Sequence, residues 1–301
     1  MVSAVLTAVL FANSVILGHR AAKLAGSLEA NFWRVIIATT LLALWAFTFG
    51  AGFGGAGFWW FVMSGAIGVG LGDFAFYHAL PKLGPRISSL IGQCLMGVFG
   101  VLFDWLLLGT HISGHQIFFS IVTLAGVAIA LGTMAEIREH ARTLRPGLAL
   151  ATFGAAATAG GALLSSKAFK VIHAEGASLD GITAGFQRMV GGLGISLLVY
   201  VALRLSKGSS KDPLFAINTP ERKKAWLWII GNALAGQTLG VSAMQWALST
   251  IPASQVLVVV ATAPILVIPL ARIFNGERIT VRAVVGSLIA VGGVIGLILL
   301  R

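Results

Sequence analysis

Apolar stretches of about 20 residues, separated by short polar connections, recur along the whole chain. They fall at approximately 2–19, 29–49, 57–80, 86–108, 115–133, 147–166, 182–203, 225–247, 253–273 and 283–300. Within each stretch the apolar residues are continuous and do not alternate, which excludes the strands of a membrane barrel. In lipid such a stretch must satisfy its own backbone hydrogen bonds, and only a helix does so within one segment. The pattern therefore predicts an all-α integral membrane protein with ten transmembrane helices. Composition agrees: 57% of the 301 residues are apolar and 10% are charged, against roughly 25% charged in soluble domains. The first stretch lacks a basic leader and has a counterpart later in the chain, so it reads as a helix and not as a signal peptide.

The counterpart belongs to an internal repeat. When GVGLGDFAFYHAL (68–80) is set over GQTLGVSAMQWAL (236–248), Gly68, Leu71, Gly72, Ala75, Ala79 and Leu80 meet identical residues. GTHIS (109–113) meets GERIT (276–280), FWR (32–34) meets FQR (186–188), and Ser120, Gly126 and Val127 recur as Ser287, Gly293 and Val294. Each half holds five spans: residues 1–133 and 147–301, joined by the polar connector 134–146. Because five is odd, the second copy starts on the opposite side of the membrane, and the fold is expected to be two inverted five-helix repeats. Inverted repeats place a binding site near the midplane between the halves.

Several of these features together resemble the EamA-type family of the drug/metabolite transporter (DMT) superfamily: an arginine early in spans two and seven, a small-residue turn after AL, a proline-centred span, and GERIT. The second half, WALSTIPASQVLVVVATAPILVIPLARIFNGERIT, matches best; the first has GTH where the family usually has GE, and no proline in span four. The resemblance implies a ten-helix metabolite transporter, often an exporter, whose spans one to four and six to nine surround a central cavity. The expected function is secondary active transport of a small organic metabolite, such as an amino acid or amphipathic solute, by alternating access of that cavity. Competing readings are a lipid-linked substrate flippase, a non-transporting membrane subunit and an intramembrane enzyme. The expected partners are a small-molecule substrate and the bilayer; one chain suffices, and oligomers are compatible with it.

Charge adds an orientation. The net charge is +11, but no nucleic-acid motif accompanies it. Sixteen of the 21 basic residues fall in odd-numbered connections, while the even-numbered ones hold only Lys167 and Lys170. The positive-inside rule then puts the odd connections in the cytoplasm and both termini outside, whereas many relatives are expected to have both termini inside. The expected location is the cell membrane, the inner membrane if the source is bacterial.

Apart from Glu29 at the first position of span two, only Asp73 and Asp104 are acids within spans, and an intramembrane carboxylate is costly enough to suggest function. Asp73, followed by Tyr77 and His78, is a candidate for binding a substrate amine or coupling to protons; the alternative is a structural ion pair. Asp104, near a span end, reads as an interfacial group. Arg34 and Arg188 are related by the repeat and are candidates for an ion pair or a contact to an anion; the alternative is snorkelling to an interface. Gln237 and Gln93 suit a cavity for polar solutes or a helix-to-helix bond, and Trp246 is a candidate for lining a path for apolar groups. Enzyme signatures and magnesium-binding clusters are missing from the sequence, the six histidines lack metal-ligand spacing, and Cys94 is alone. Neither cofactor nor metal is expected, and the chain reads as no enzyme.

Within ATAPILVIP (261–269), Pro264 and Pro269 each delete a helical hydrogen bond. Pro264 aligns with Gly97 of span four, which predicts a helix weakened at the same depth in both halves, with Pro264 and Gly97 as hinges beside the cavity.

Overall fold

The computed structural model describes residues 1–108, 111, 113–131, 141–206, 220–251, 253–277 and 279–299. The connector residues 132–140 and the connection 207–219 lie outside this set. Among the described residues the regular structure is entirely helical: α1 (Val2–Ala25), α2 (Ser27–Thr48), α3 (Phe58–Gly65), a π-helical segment (Ala66–Asp73), α4 (Phe74–Leu108), α5 (Gly114–Leu131), α6 (Ala141–Ala174), α7 (Gly181–Ser206), α8 (Pro220–Asn232), a second π-helical segment (Ala233–Gly240), α9 (Val241–Thr250), α10 (Ala253–Val260), α11 (Ala263–Asn275) and α12 (Val281–Leu299). Six helical runs among them are long and apolar enough to cross a membrane: Val2–Ala25, Ser27–Thr48, Phe58–Phe103, Gly114–Leu131, Leu144–Ala174 and Gly181–Leu205. The run Phe58–Phe103 contains a sharp bend at Gly84, where φ is 74° and ψ 166°. Pro85 follows it, so helix on either side meets at a residue that only glycine adopts readily.

Local chemistry explains why the repeated motifs recur where they do. Ser113, the last residue of GTHIS, starts α5 with a reciprocal cap: its hydroxyl accepts from the Gln116 amide at 3.2 Å, and the Gln116 side chain accepts from the Ser113 amide at 2.9 Å. Its equivalent Thr280 caps α12 by accepting from the Ala283 amide at 3.2 Å. Gly276, which opens GERIT, ends α11 in the left-handed region at φ 66°. There the amides of Gly276 and Glu277 donate to the Arg272 and Ala271 carbonyls at 3.2 and 3.3 Å, closing the helix end. Asp180 caps α7 by accepting from the amides of Ile182 and Thr183 at 3.0 and 2.9 Å.

Repeat-equivalent helices pack antiparallel. Along α5 and α12, Phe119 meets Gly296, Thr123 meets Gly293, Gly126 meets Ala290, and Ala130 meets Gly286, so one index rises as the other falls. Exchanging the two repeats maps the two middle contacts onto each other and the outer two to within one residue. Along α2 and α7, Phe32 stacks on Tyr200 at 4.0 Å and Phe47 packs on Phe186 at 5.3 Å, while the Glu29 carboxylate pairs with Arg204. Two copies of one unit facing each other in this way are inverted about an axis between them.

The connections separate into two groups. Arg20 Nε donates to Asn275 at 3.3 Å, and Arg86 lies 3.7 Å from Glu277, which joins the first, third and ninth connections of the sequence reading. Burial pushes the Glu277 carboxyl above its ordinary range, with Arg86 and Lys23 pulling it the other way. At the opposite end, Gln187 Nε2 donates to the carbonyls of Gly52 and Gly54 at 3.0 and 2.8 Å. Odd-numbered connections thus contact one another, and even-numbered segments meet elsewhere.

Candidate functional site

The two π-helical segments occupy equivalent places in the two repeats and face a common central cavity. A π turn widens the helix and frees backbone groups, and such turns concentrate at functional sites. The first carries Gly68, Gly70 and Gly72; the second carries Gly236 and Gly240. At these points neighbours come close: a methyl at Gly70 would stand 2.5 Å from Ile195 Cβ, and one at Gly72 would stand 3.0 Å from Thr158 Oγ1. The cavity has a volume of about 110 Å³, well above the roughly 10–15 Å³ that one water needs. Its walls come from α1, α2, both π segments, α4, α6, α7 and α9.

Its polar centre is a network that joins the repeats. Asp73 ends the first π segment, and its Oδ2 lies 2.7 Å from Arg34 Nη2 of α2. The same oxygen accepts from Gln237 Nε2 of the second π segment at 2.6 Å. Arg34 is held from behind by Asn31, whose Oδ1 accepts from Nε and Nη2 at 3.1 and 3.0 Å, and its guanidinium lies 4.2 Å from the Tyr77 ring centroid. Tyr77 in turn donates to Asn232 Oδ1 at 2.5 Å, and Asn232 Nδ2 donates to the Ser14 carbonyl and, at 3.1 Å, to the Ser14 hydroxyl. Residues far apart in sequence are thereby fixed to one another at a depth where water competes little for their bonds.

Arg188 enters the cavity from α7 and is 4% exposed. Its Nη1 donates to Ser165 Oγ at 3.1 Å, which lies 2.8 Å from the Ser64 hydroxyl. No carboxylate lies within ion-pairing distance of it among the described residues. Several buried polar atoms on the cavity wall also lack a protein partner: Arg188 Nε, Gln93 Oε1, Gln237 Oε1 and both amide atoms of Gln245. Buried polar groups are nearly always paired, so a wall with this many open valences is suited to water or a polar solute.

Of the residues singled out from sequence, Asp73, Gln237, Gln93, Tyr77, Arg34 and Arg188 all line this cavity. His78 does not; its Nδ1 is 2.8 Å from the Phe74 carbonyl and its ring packs on Phe74. Trp246 is 61% exposed and turned away from the interior. The Asp104 side chain lies outside those described. Pro264 is buried but absent from the cavity wall, and it sits in the first turn of α11, after a break at Ala261–Thr262. At that break the Thr262 amide and hydroxyl both donate to the Val259 carbonyl, at 3.1 and 2.6 Å. Gly97 differs from the expectation of matched weak points, since α4 runs unbroken through it and it packs on Val294 of α12. The irregularity that the two repeats share is the π segment, signalled in the sequence only by aligned glycines. Phe11, Thr158 and Met244 of the wall carried no sequence signal that separates them from ordinary packing residues.

The sequence profile of the EamA-like transporter family matches residues 1–132 and 145–299. The chain belongs to the EamA-like transporter family. This EamA-like chain is a multi-pass membrane protein of DMT type, and the cavity lies between its two matched regions. No curated protein matches it in sequence. A solved structure titled "Crystal structure of protein" shares its fold with a TM-score of 0.59 and 17% identity, covering 98% of this chain and 96% of that one. At that identity the likeness concerns the fold alone.

Proposed function

We propose that the protein is a secondary active exporter of a small amphipathic organic solute, working by alternating access of the central cavity. The observation that carries the reading is the polar network around Asp73, buried between two antiparallel repeats and surrounded by unpaired polar atoms. Repeats related in this way can exchange conformations, so that a site between them opens first to one side and then to the other. The sequence offers no nucleotide-binding loop, and the energy source is a gradient. The test is counterflow into proteoliposomes: accumulation of a labelled solute driven by the same solute trapped inside supports transport. Lipid scrambling without solute movement, or neither activity, overturns the proposal.

Ten crossings and odd connections in the cytoplasm complete the reading, supported by the contacts among those connections and by their basic residues. The membrane is the cell membrane, the inner one in a bacterium. A reporter active only in the cytoplasm is expected to be active within 207–222 and silent after Arg301. The reverse pattern removes this orientation.

The broken ninth span supplies a hinge. Pro264 has no amide hydrogen and lies in the first turn of α11, so span nine does not run on as one helix from Val260 but turns at Ala261–Thr262. Pro264→Ala is expected to insert and bind solute but to turn over several-fold more slowly, because a straightened span favours one face of the cycle. Pro269→Ala, inside continuous α11, should do less. Equal turnover of Pro264→Ala and wild type at equal reconstituted amounts would defeat the hinge.

A further inference from the structure

The two repeats are equivalent in sequence position but not in charge. Arg34 of the first repeat has Asp73 as its partner, 2.7 Å away. Arg188 is the counterpart of Arg34, but the counterpart of Asp73 in the aligned segments GVGLGD and GQTLGV is Val241. Arg188 therefore sits 4% exposed on the cavity wall with its Nε unpaired, and among the described residues no carboxylate lies within ion-pairing distance of it, although the Asp73 charge acts on it from farther off. Beside the first arginine stands Tyr77, closed off by its bond to Asn232. The counterpart of Tyr77 is Gln245, fully buried on the same wall, with both amide atoms open. One half of the site is complete, and the other lacks an anion.

We infer that the cavity binds organic monocarboxylates with an apolar body, and that Arg188, with Gln245 of the same wall, receives the carboxylate. This rests on the transporter reading of the same cavity and names its substrate class. Within that wall Arg34 and Asp73 neutralise each other, which leaves the single charge of Arg188. Asp73 is shared between Arg188, at longer range, and its close partner Arg34; a buried guanidinium without a close counter-charge of its own is costly, and a ligand with one negative charge removes that cost. A zwitterion leaves the charge uncompensated, a cation adds to it, and a dianion overshoots. The planar fork of arginine also matches a carboxylate with two parallel bonds. The rest of the ligand meets Phe11, Phe76, Leu80, Met96 and Met244, an apolar wall with two adaptable thioethers. The carboxylate of the ligand does for Arg188 what Asp73 does for Arg34, and occupancy completes the symmetry of the two halves.

The test compares head groups on one body using the purified wild-type protein, so that it does not depend on any variant folding. 4-Methylpentanoate, leucine, 3-methylbutylamine and 3-methylbutanol share a branched aliphatic body and carry an anion, a zwitterion, a cation and a neutral group; phenylpropanoate, phenylalanine, phenethylamine and phenylethanol repeat the series on an aromatic body. Thermal stabilisation in detergent is expected for the monocarboxylate of at least one series and to exceed that of its three relatives, since only a ligand bound to the folded state raises apparent stability. Arg188→Gln is expected to weaken that binding by roughly 10- to 100-fold, the range of a lost charge-assisted hydrogen bond. Stabilisation by the zwitterion or cation equal to that of the anion overturns the inference, as does a panel in which neither monocarboxylate stabilises, or unchanged affinity in Arg188→Gln. Counterflow of an amine that monocarboxylates do not inhibit removes this substrate class and leaves the transporter reading. Monocarboxylate binding with no counterflow does the opposite.

Discussion

Asp73→Asn is expected to abolish concentrative transport and also to lower the unfolding temperature of the purified protein, while Arg34→Gln combined with it recovers most of the lost stability but no transport. The stability loss follows from the ion pair. Arg34 is 4% exposed and Asp73 22%, with 2.7 Å between them, and an amide at position 73 leaves a buried guanidinium without its counter-charge. Breaking a buried pair from one side costs roughly 3–5 kcal/mol, whereas replacing both partners is often close to neutral. Transport fails for a different reason. Asp73 is the only acid on the cavity wall among the described residues, and under the proposed transport reading an amide in its place keeps the shape but cannot carry the charge. Unfolding of the two single variants and the double variant gives the coupling energy directly. A single variant that unfolds with wild type would show that the pair is not structural, and wild-type counterflow with wild-type pH dependence in Asp73→Asn would remove the residue from the mechanism.

The extent to which this site was legible in sequence depends on the range of each interaction. Hydropathy acts over a whole segment, so the apolar stretches and the two-repeat organisation could be read without any contact. Arg34 and Asp73 each stood out because a charge in a span is expensive, yet nothing in the spacing of 34 and 73 says that they meet; that requires the packing of α2 against the first π segment. The bond from Tyr77 to Asn232 crosses between the repeats, and no local pattern encodes it. Trp246 misled for the opposite reason: an aromatic residue on an apolar span is as comfortable against lipid as inside, and here it is on the outer surface. The π segments were nearly hidden, because glycines at 68, 70 and 72 fit close helix packing equally well, and Gly70 against Ile195 does that too. Span nine shows a finer limit. Its apolar run is continuous, the proline marks the start of a new helix, and the break itself falls two residues earlier at Thr262. Proline is tolerated in a first turn, where its missing donor has no intrahelical partner to lose.

Gly65→Ala is expected to cost about 3 kcal/mol or more and to deplete the folded, monodisperse protein, against the direction that helix propensity alone gives. Gly65 has ordinary helical dihedrals, φ −70° and ψ −42°, so an alanine there would gain about 1 kcal/mol in an isolated helix. Packing reverses the sign. A methyl at Gly65 would overlap the backbone carbonyl oxygen of Arg188, and one at Gly191 would overlap the Val62 carbonyl, so α3 and α7 touch backbone to backbone from both sides. Overpacking that a side chain can relieve costs roughly 1–3 kcal/mol; here the obstacle is main chain, and relief requires α7 to move as a unit. That displacement would carry Arg188 away from the Ser165 hydroxyl and from the cavity wall, so the residual folded protein should also bind its solute more weakly. Gly194→Ala is the internal control: it lies on α7 with nothing within 4 Å of the added methyl, and it is expected to be neutral or slightly stabilising. Thermal unfolding of the two variants beside wild type decides the matter, since a Gly65→Ala protein as stable as the Gly194→Ala one would mean that α3 and α7 do not approach this closely.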